Sequence, residues 1–202
     1  MRKTVLFSML VLLTAFLSTV ASAAPGNTLD NLQTAYNGES NAGAKYLAYA
    51  EKADAEGYKG IASLFRAASK AESVHAANHA VVIKKLGGTP AMKIELPAIL
   101  STTENLKDSV KGESYERDSM YPEFIKQARS EGNSAAVRTF NLAKTAEAEH
   151  ATLYSKALKN PDAMKAATNF YVCSVCGYTT TNLDFAKCLS CFNPKDKYVK
   201  VA

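Results

Sequence analysis

The chain has 202 residues, 47% of them hydrophobic, and a formal net charge of +5. That length holds one ordinary domain and a small additional module. The positive surplus is mild and no long basic run occurs, which argues against a nucleic-acid surface.

The first element in chain order is a leader. Arg2 and Lys3 precede an apolar run from Val5 to Val20, and Ala21-Ser22-Ala23 follows. Basic start, apolar stretch and A-x-A is the layout of a secretory signal peptide, so residues 1–23 are expected to be removed. The apolar run falls short of the roughly 20 residues of a membrane span, leaving an uncleaved anchor as the lesser alternative. Removing Arg2 and Lys3, the only charged residues of that leader, leaves +3. No twin arginine is present, so export of the unfolded chain is expected, with metals acquired afterwards. The expected location is extracytoplasmic or periplasmic, with no membrane attachment once the leader is cut.

From residue 24 to 164 the composition predicts a helical bundle rich in Ala, Leu, Lys and Glu. Gly57-Tyr58-Lys59-Gly60, Gly87-Gly88-Thr89-Pro90, Gly132-Asn133 and Asn160-Pro161 punctuate it. Ser101-Thr102-Thr103-Glu104 has the form of a capping box. Four helices follow, over about 28–56, 60–86, 101–131 and 134–160. Each would span about 35–45 Å at 1.5 Å per residue. Short first–second and third–fourth connections make two antiparallel hairpins. The longer link from Gly87 to Leu100 must cross the bundle, which is ferritin-like connectivity. Pro122 should bend the third helix or free a carbonyl near residue 118.

Each helix carries an apolar stripe at three- and four-residue spacing, interrupted at mid-height by acids and imidazoles. These are Glu39 on the first helix, Glu72 and His75 on the second, Glu113 and Glu116 on the third, and Glu147 and His150 on the fourth. A buried carboxylate is costly unless it is paired or binds a cation. An E-x-x-H pair projects both side chains from one face. One Glu from each of two helices, with E-x-x-H from each of the other two, is the di-iron carboxylate pattern. The chain also repeats itself. Asn31-Leu32 precedes Gly38-Glu39-Ser40 as Asn105-Leu106 precedes Gly112-Glu113-Ser114, and Phe65 precedes Glu72 as Phe140 precedes Glu147. Glu116 breaks the repeat, because Ala42 stands at the equivalent position. His79, one turn beyond His75, is expected to be a satisfied or partly exposed histidine, with an outer role beside His75 as the alternative.

After Pro161 the character changes. Residues 165–202 hold all four cysteines, as Cys173-Ser174-Val175-Cys176 and Cys188-Leu189-Ser190-Cys191, between short β-prone runs. Two C-x-x-C knuckles make a tetrahedral thiolate site for iron or zinc, with two disulfides as the alternative.

Together these residues resemble the rubrerythrin family. The bundle motifs that carry the likeness are Gly38-Glu39-Ser40, Glu72-x-x-His75, Gly112-Glu113-x-x-Glu116, Met120-Tyr121-Pro122 and Glu147-x-x-His150, and the last forty residues resemble rubredoxin. The fold implied is an all-α, four-helix ferritin-like bundle with a rubredoxin-like module. The activity implied is a non-haem di-iron peroxidase, reducing hydrogen peroxide with electrons relayed through a cysteine-bound iron. The resemblance makes Glu39, Glu72, Glu113 and Glu147 metal ligands, with Glu72 and Glu113 expected to bridge, and His150 a permanent ligand. It makes Glu116 and His75 an exchanging pair, the acid on oxidised iron and the imidazole on reduced iron. That fits the preference of the harder ferric ion for carboxylate. Tyr46 and Tyr121 match tyrosines lining the family's site, and core packing is their other reading. Rival readings are an oxygen-driven ferroxidase, a non-enzymatic metal-binding protein with zinc on the cysteines, and a disulfide redox sensor. The likeness also implies a homodimer in which one chain's cysteine site approaches the other's di-iron site. An exported chain needs an electron donor other than the nicotinamide-dependent ones of the cytoplasm, for example a cytochrome. Leu189 and Phe192 depart from the rubredoxin-like pattern, where proline and glycine often stand.

Overall fold

The computed structural model describes residues 27–202, so the expected leader lies outside the described residues. Helix α1 spans Thr28–Ala55 and α2 spans Lys59–Lys85. Then come α3 (Thr102–Tyr115), a π-helical turn (Glu116–Met120), α4 (Tyr121–Ser130) and α5 (Ser134–Lys159). No helix among the described residues is long and apolar enough to cross a membrane. Asn27 caps α1 through the Asp30 N–H, and Ser101 with Glu104 forms the capping box that the sequence announces.

The third helix is not continuous as expected. Tyr121 N–H bonds back to the Glu116 carbonyl, five residues away, so one extra residue is looped into the turn. Pro122 has no N–H to give, so a conventional bond to residue 118 is impossible there. The repeat records the insertion. Asn31, Leu32 and Glu39 recur 74 positions later as Asn105, Leu106 and Glu113, whereas Tyr46, Ala53 and Gly57 recur 75 positions later as Tyr121, Ala128 and Gly132. The change of offset falls inside Glu116–Met120.

The crossing link is extended and is held by an amide ladder on α1. Gln33, Asn37 and Asn41, one turn apart, bond to backbone groups of Thr89, Ala91, Lys93 and Glu95 at 2.6–3.3 Å. This replaces the backbone pairing an isolated extended strand would lack.

The C-terminal module is a small antiparallel sheet of β1 (Phe170–Cys173), β2 (Thr179–Thr180) and β3 (Tyr198–Val201), ordered β2-β1-β3. Phe170 and Val172 alternate inward and join the bundle core beside Tyr46, Tyr49 and Phe65. The linker into the module crosses α2 at Gly60, where a Cβ would stand 2.6 Å from the Ala166 carbonyl. The module is thus packed against its own bundle, on the side that carries the acids.

Candidate metal centres

The inner faces of α1, α2, α3 and α5 deliver Glu39, Glu72, His75, Glu113, Glu147 and His150 to one point, each with at most 2% of its surface exposed. Two four-residue groups form there. Glu39, Glu72, His75 and Glu147 make one, and Glu72, Glu113, Glu147 and His150 make the other. Glu72 and Glu147 belong to both. Glu72 turns one oxygen to His75 Nδ1 at 2.8 Å and the other to His150 Nδ1 at 3.4 Å. Glu147 does the same at 3.0 and 2.8 Å. The bridging positions therefore fall to Glu72 and Glu147, not to Glu72 and Glu113 as the resemblance implied. The physical reason is that both shared acids sit one turn before a ligating histidine on the paired helices α2 and α5. Glu39 and Glu113 stand at opposite ends.

The arrangement is built for cations. Eight buried ligand atoms lack a hydrogen-bond partner: both oxygens of Glu72 and Glu147, one each of Glu39 and Glu113, and Nδ1 of both histidines. Four carboxylates balance the charge of two divalent ions. The histidine tautomers are forced by their outer bonds. His75 Nε2 lies 3.1 Å from the Cys176 carbonyl, which can only accept, so Nε2 carries the proton and Nδ1 faces the acids. Thr179 commits its hydroxyl to the Gly177 carbonyl at 3.0 Å, so it accepts from His150 Nε2 at 3.0 Å. Each ligating imidazole is thus oriented by the cysteine module.

Without ions the acids disturb one another. Burial and the Glu72 charge push the Glu147 carboxyl up to about 8. Burial and Glu113 also raise Glu72. Burial would raise Glu39 too, but the charge of His75, 3.6 Å away, and of His79 beside it outweighs burial and holds Glu39 well below the usual range. Burial works against the charged imidazoles of His75 and His150, yet the surrounding carboxylates carry both well above their ordinary value.

Glu116 opens the π-helical turn and stands outside both ligand groups. Burial and the charge of Glu39 raise its carboxyl well above the ordinary range. The imidazole, not the extra acid, occupies the first group.

Tyr46 donates to Glu113 Oε1 at 2.5 Å, and Tyr121 donates to Glu39 Oε1. Each tyrosine serves the acid of the opposite hairpin. Of the two forms of the expectation for His79, satisfied or partly exposed, the structure has the satisfied one: the ring is wholly buried and both nitrogens are met, by Tyr121 and Thr139. Thr139 and Thr179 were not legible as outer residues. The repeat offset was the available signal for His79, whose equivalent 75 positions on is Tyr154, packed at a tilt against Tyr46 with 5.5 Å between ring centroids.

The four cysteines form the second centre. All are unbonded, with Cys173 and Cys191 Sγ 3.7 Å apart and Cys176 and Cys188 Sγ 3.6 Å apart. Four sulfurs at roughly 2.3 Å from one tetrahedral ion stand about 3.8 Å from each other. Bonded sulfurs would be about 2 Å apart, so the geometry is that of a metal site and not of two disulfides. Asn193 and Tyr198 donate to the sulfurs of Cys191 and Cys188 at 3.3 and 3.1 Å.

Fold and centres together define a ferritin-like di-iron carboxylate protein with a four-cysteine site for iron or zinc. The rubrerythrin family model matches residues 30–158. The chain is 41% identical over 179 residues to nigerythrin of Nitratidesulfovibrio vulgaris, covering 88% of each chain. It is 35% identical to rubrerythrin-2 of Clostridium acetobutylicum, covering 85% of this chain and 95% of that one. The fully reduced, all-ferrous structure of nigerythrin superposes with a TM-score of 0.82 at 38% identity over 91% of both chains. A bacterioferritin of Desulfovibrio desulfuricans, at 22% identity and a TM-score of 0.62, shares the bundle fold. The chain belongs to the rubrerythrin family.

Proposed function

We propose that this chain is a peroxidase that reduces hydrogen peroxide to water at the Glu/His centre, with electrons entering through iron on the cysteines. Paired iron held there would supply the two electrons that cleavage of the O–O bond requires, and iron on the cysteines would be their point of entry. The residues of the chain do the rest. Glu72 and Glu147, common to both ligand groups, would serve both ions, Glu39 with His75 would hold one end, and Glu113 with His150 would hold the other. Their near-complete burial keeps bulk water from the centre.

The observation that carries this reading is the bond between Cys176 O and His75 Nε2. A thiolate ligand of one centre is joined to an imidazole ligand of the other by a few covalent bonds and one hydrogen bond. A purely structural zinc site has no need of such a connection. Asn78 donates to the Val175 carbonyl at 3.0 Å and fixes the same edge. This connection lies within one chain, so it does not depend on the expected dimer. The chain is further proposed to be exported, on the strength of residues 1–23, and to draw electrons from a donor outside the cytoplasm.

The test is anaerobic stopped-flow absorption of the reduced, iron-loaded protein mixed separately with peroxide and with oxygen. Return of the thiolate-to-iron colour faster with peroxide supports the proposal. Faster return with oxygen moves the chain to oxygen-driven iron handling. A colourless cysteine site holding zinc removes the relay. Amino-terminal sequencing of the mature protein tests export.

A further inference from the structure

Reducing one peroxide to two waters takes two electrons and two protons, and the acids of the centre are almost wholly buried. We infer that His79 and Thr139 form a proton path from a surface cavity to the Glu39 side of that centre, an inference that rests on the peroxidase reading. The cavity, about 560 Å³, lies between α2, α5 and the cysteine module, and Thr139 forms part of its wall with Lys85, Arg138 and Val175. From Thr139 the chain of hydrogen bonds is continuous. Thr139 Oγ1 lies 3.1 Å from His79 Nδ1, His79 Nε2 lies 3.2 Å from the Tyr121 hydroxyl, and that hydroxyl bonds to Glu39 Oε1.

The direction of every bond is fixed from the inner end. The Glu39 carboxylate only accepts, so Tyr121 donates to it and must accept from His79. His79 therefore carries its proton on Nε2, and Nδ1 accepts from Thr139. One proton passes as follows. A cavity water gives a proton to Thr139 Oγ1, which passes its own to Nδ1. Nε2–H passes to the Tyr121 oxygen, and the Tyr121 proton passes to Glu39. Each link gives one proton and receives one, so one proton leaves the cavity and one arrives. Rotation of the hydroxyls and a change of tautomer restore the starting order.

Among the described residues, the other half of the bundle has no such path. Tyr154 replaces His79 there, its hydroxyl has no hydrogen-bond partner, and Tyr46 ends in the closed cluster of Tyr49, Phe65 and Tyr154. A histidine is the one side chain at this position that can accept on one nitrogen while donating from the other.

The test separates passing protons from holding Tyr121 in place. His79→Gln can still accept and donate but cannot pass a proton through its amide readily, whereas His79→Leu can do neither. Thr139→Val removes the outer link and Thr139→Ser keeps it. Reoxidation of the reduced holoprotein by peroxide is followed in H2O and D2O. The expected result is a slowing of roughly ten- to a hundredfold in His79→Gln, His79→Leu and Thr139→Val. The solvent isotope effect should rise, and Thr139→Ser should restore both. Iron content and the ultraviolet Raman signature of Tyr121 should stay intact in His79→Gln. A readout independent of turnover is 15N NMR of the histidines in the diamagnetic zinc-loaded protein, which should find His79 protonated on Nε2 and shifted in Thr139→Val. A proton on Nδ1, or wild-type rates and isotope effects in His79→Gln and Thr139→Val, overturns the path. Failure of the wild-type protein to react with peroxide overturns the function instead, and the NMR result still decides the direction of the chain.

Discussion

On the Glu113 side of the metal site, the hydroxyl of Tyr46 meets the acid and the aromatic rings behind it close against one another. On the Glu39 side, Tyr121 meets the acid and the groups behind it are His79 and Thr139. The two sides come from the same repeated hairpin, so their difference isolates what has been added to a symmetric frame. Three changes fall on one side: the π-helical turn, Glu116 within it, and His79 in the place of Tyr154. The frame holds two ions, and the additions make one end of the pair unlike the other. An extra residue in a helix costs backbone regularity, and such turns occur frequently at functional sites.

The largest expected effect tests the frame itself. If Glu72 and Glu147 serve both ions, Glu72→Ala and Glu147→Ala should each lose both. Glu39→Gln and Glu113→Gln should each weaken one end only. Iron analysis of the purified variants decides this, and retention of one ion in Glu147→Ala would return the bridging role to Glu113.

The next effect contrasts shared and terminal acids in the metal-free protein. Glu147 is raised from its ordinary 4.5 to about 8, so the folded state favours its protonated form. That contribution is complete below about pH 4.5 and is lost as the pH rises through about 8. Glu39 is held low, so its contribution is lost only in acid, as the pH falls through its folded value. Between pH 5 and 8 the raised Glu147, Glu72 and Glu116 carboxyls act in one direction, joined above about pH 6.5 by the raised His75 and His150, and metal-free protein should lose stability, on the order of several kcal/mol. Iron-loaded protein should be far less sensitive over the same window. Thermal unfolding of both forms across that range checks the sign.

A third effect concerns how the module meets the bundle. Gly177 has φ +77, and a Cβ there would collide with the His75 ring. Gly177→Ala should push the module off His75 while leaving the cysteine site loaded. Electron transfer between the centres should slow, because the hydrogen bond that joins them is broken. Flash reduction followed at the thiolate-to-iron band measures it, and an unchanged rate would show that the Cys176–His75 connection carries no current.

Much of this was legible in the chain. Period-3.6 stripes located the helices, and Glu72-x-x-His75 and Glu147-x-x-His150 located the ligands, because buried acids need a cation wherever they fall. The bridging assignment was not legible. It depends on which acid oxygens face both imidazoles, and a helical stripe gives a face but not a distance. Pro122 pointed to a disturbance near residue 118, and only the step from 74 to 75 in the repeat would have identified it as an insertion. Cys176, Thr179 and the bundle histidines are distant in sequence, so nothing local could announce that the module orients the ligands. The amide ladder of Gln33, Asn37 and Asn41 has the spacing of a solvated helix face and acquires meaning only when the crossing link lies on it.

The smallest effect compares the two cysteine knuckles, which are themselves a repeat. Gly177 follows Cys176 with φ +77, and Phe192 follows Cys191 with φ +59. Both knuckles require the left-handed conformation at that position, but only one places glycine there. Left-handed backbone costs a side-chain-bearing residue about 1–2 kcal/mol, part of which glycine returns through its freer unfolded state. Phe192 is 72% exposed, so little packing opposes the change. Phe192→Gly should therefore stabilise the cysteine module by about 0.5–1 kcal/mol, read as slower loss of its metal to a chelator. The same glycine shortens the approach of backbone N–H groups to sulfur, so the potential of an iron there should rise with it. If metal release instead quickens, the exposed ring is holding the knuckle closed, and the strain is retained for what the aromatic side chain contacts.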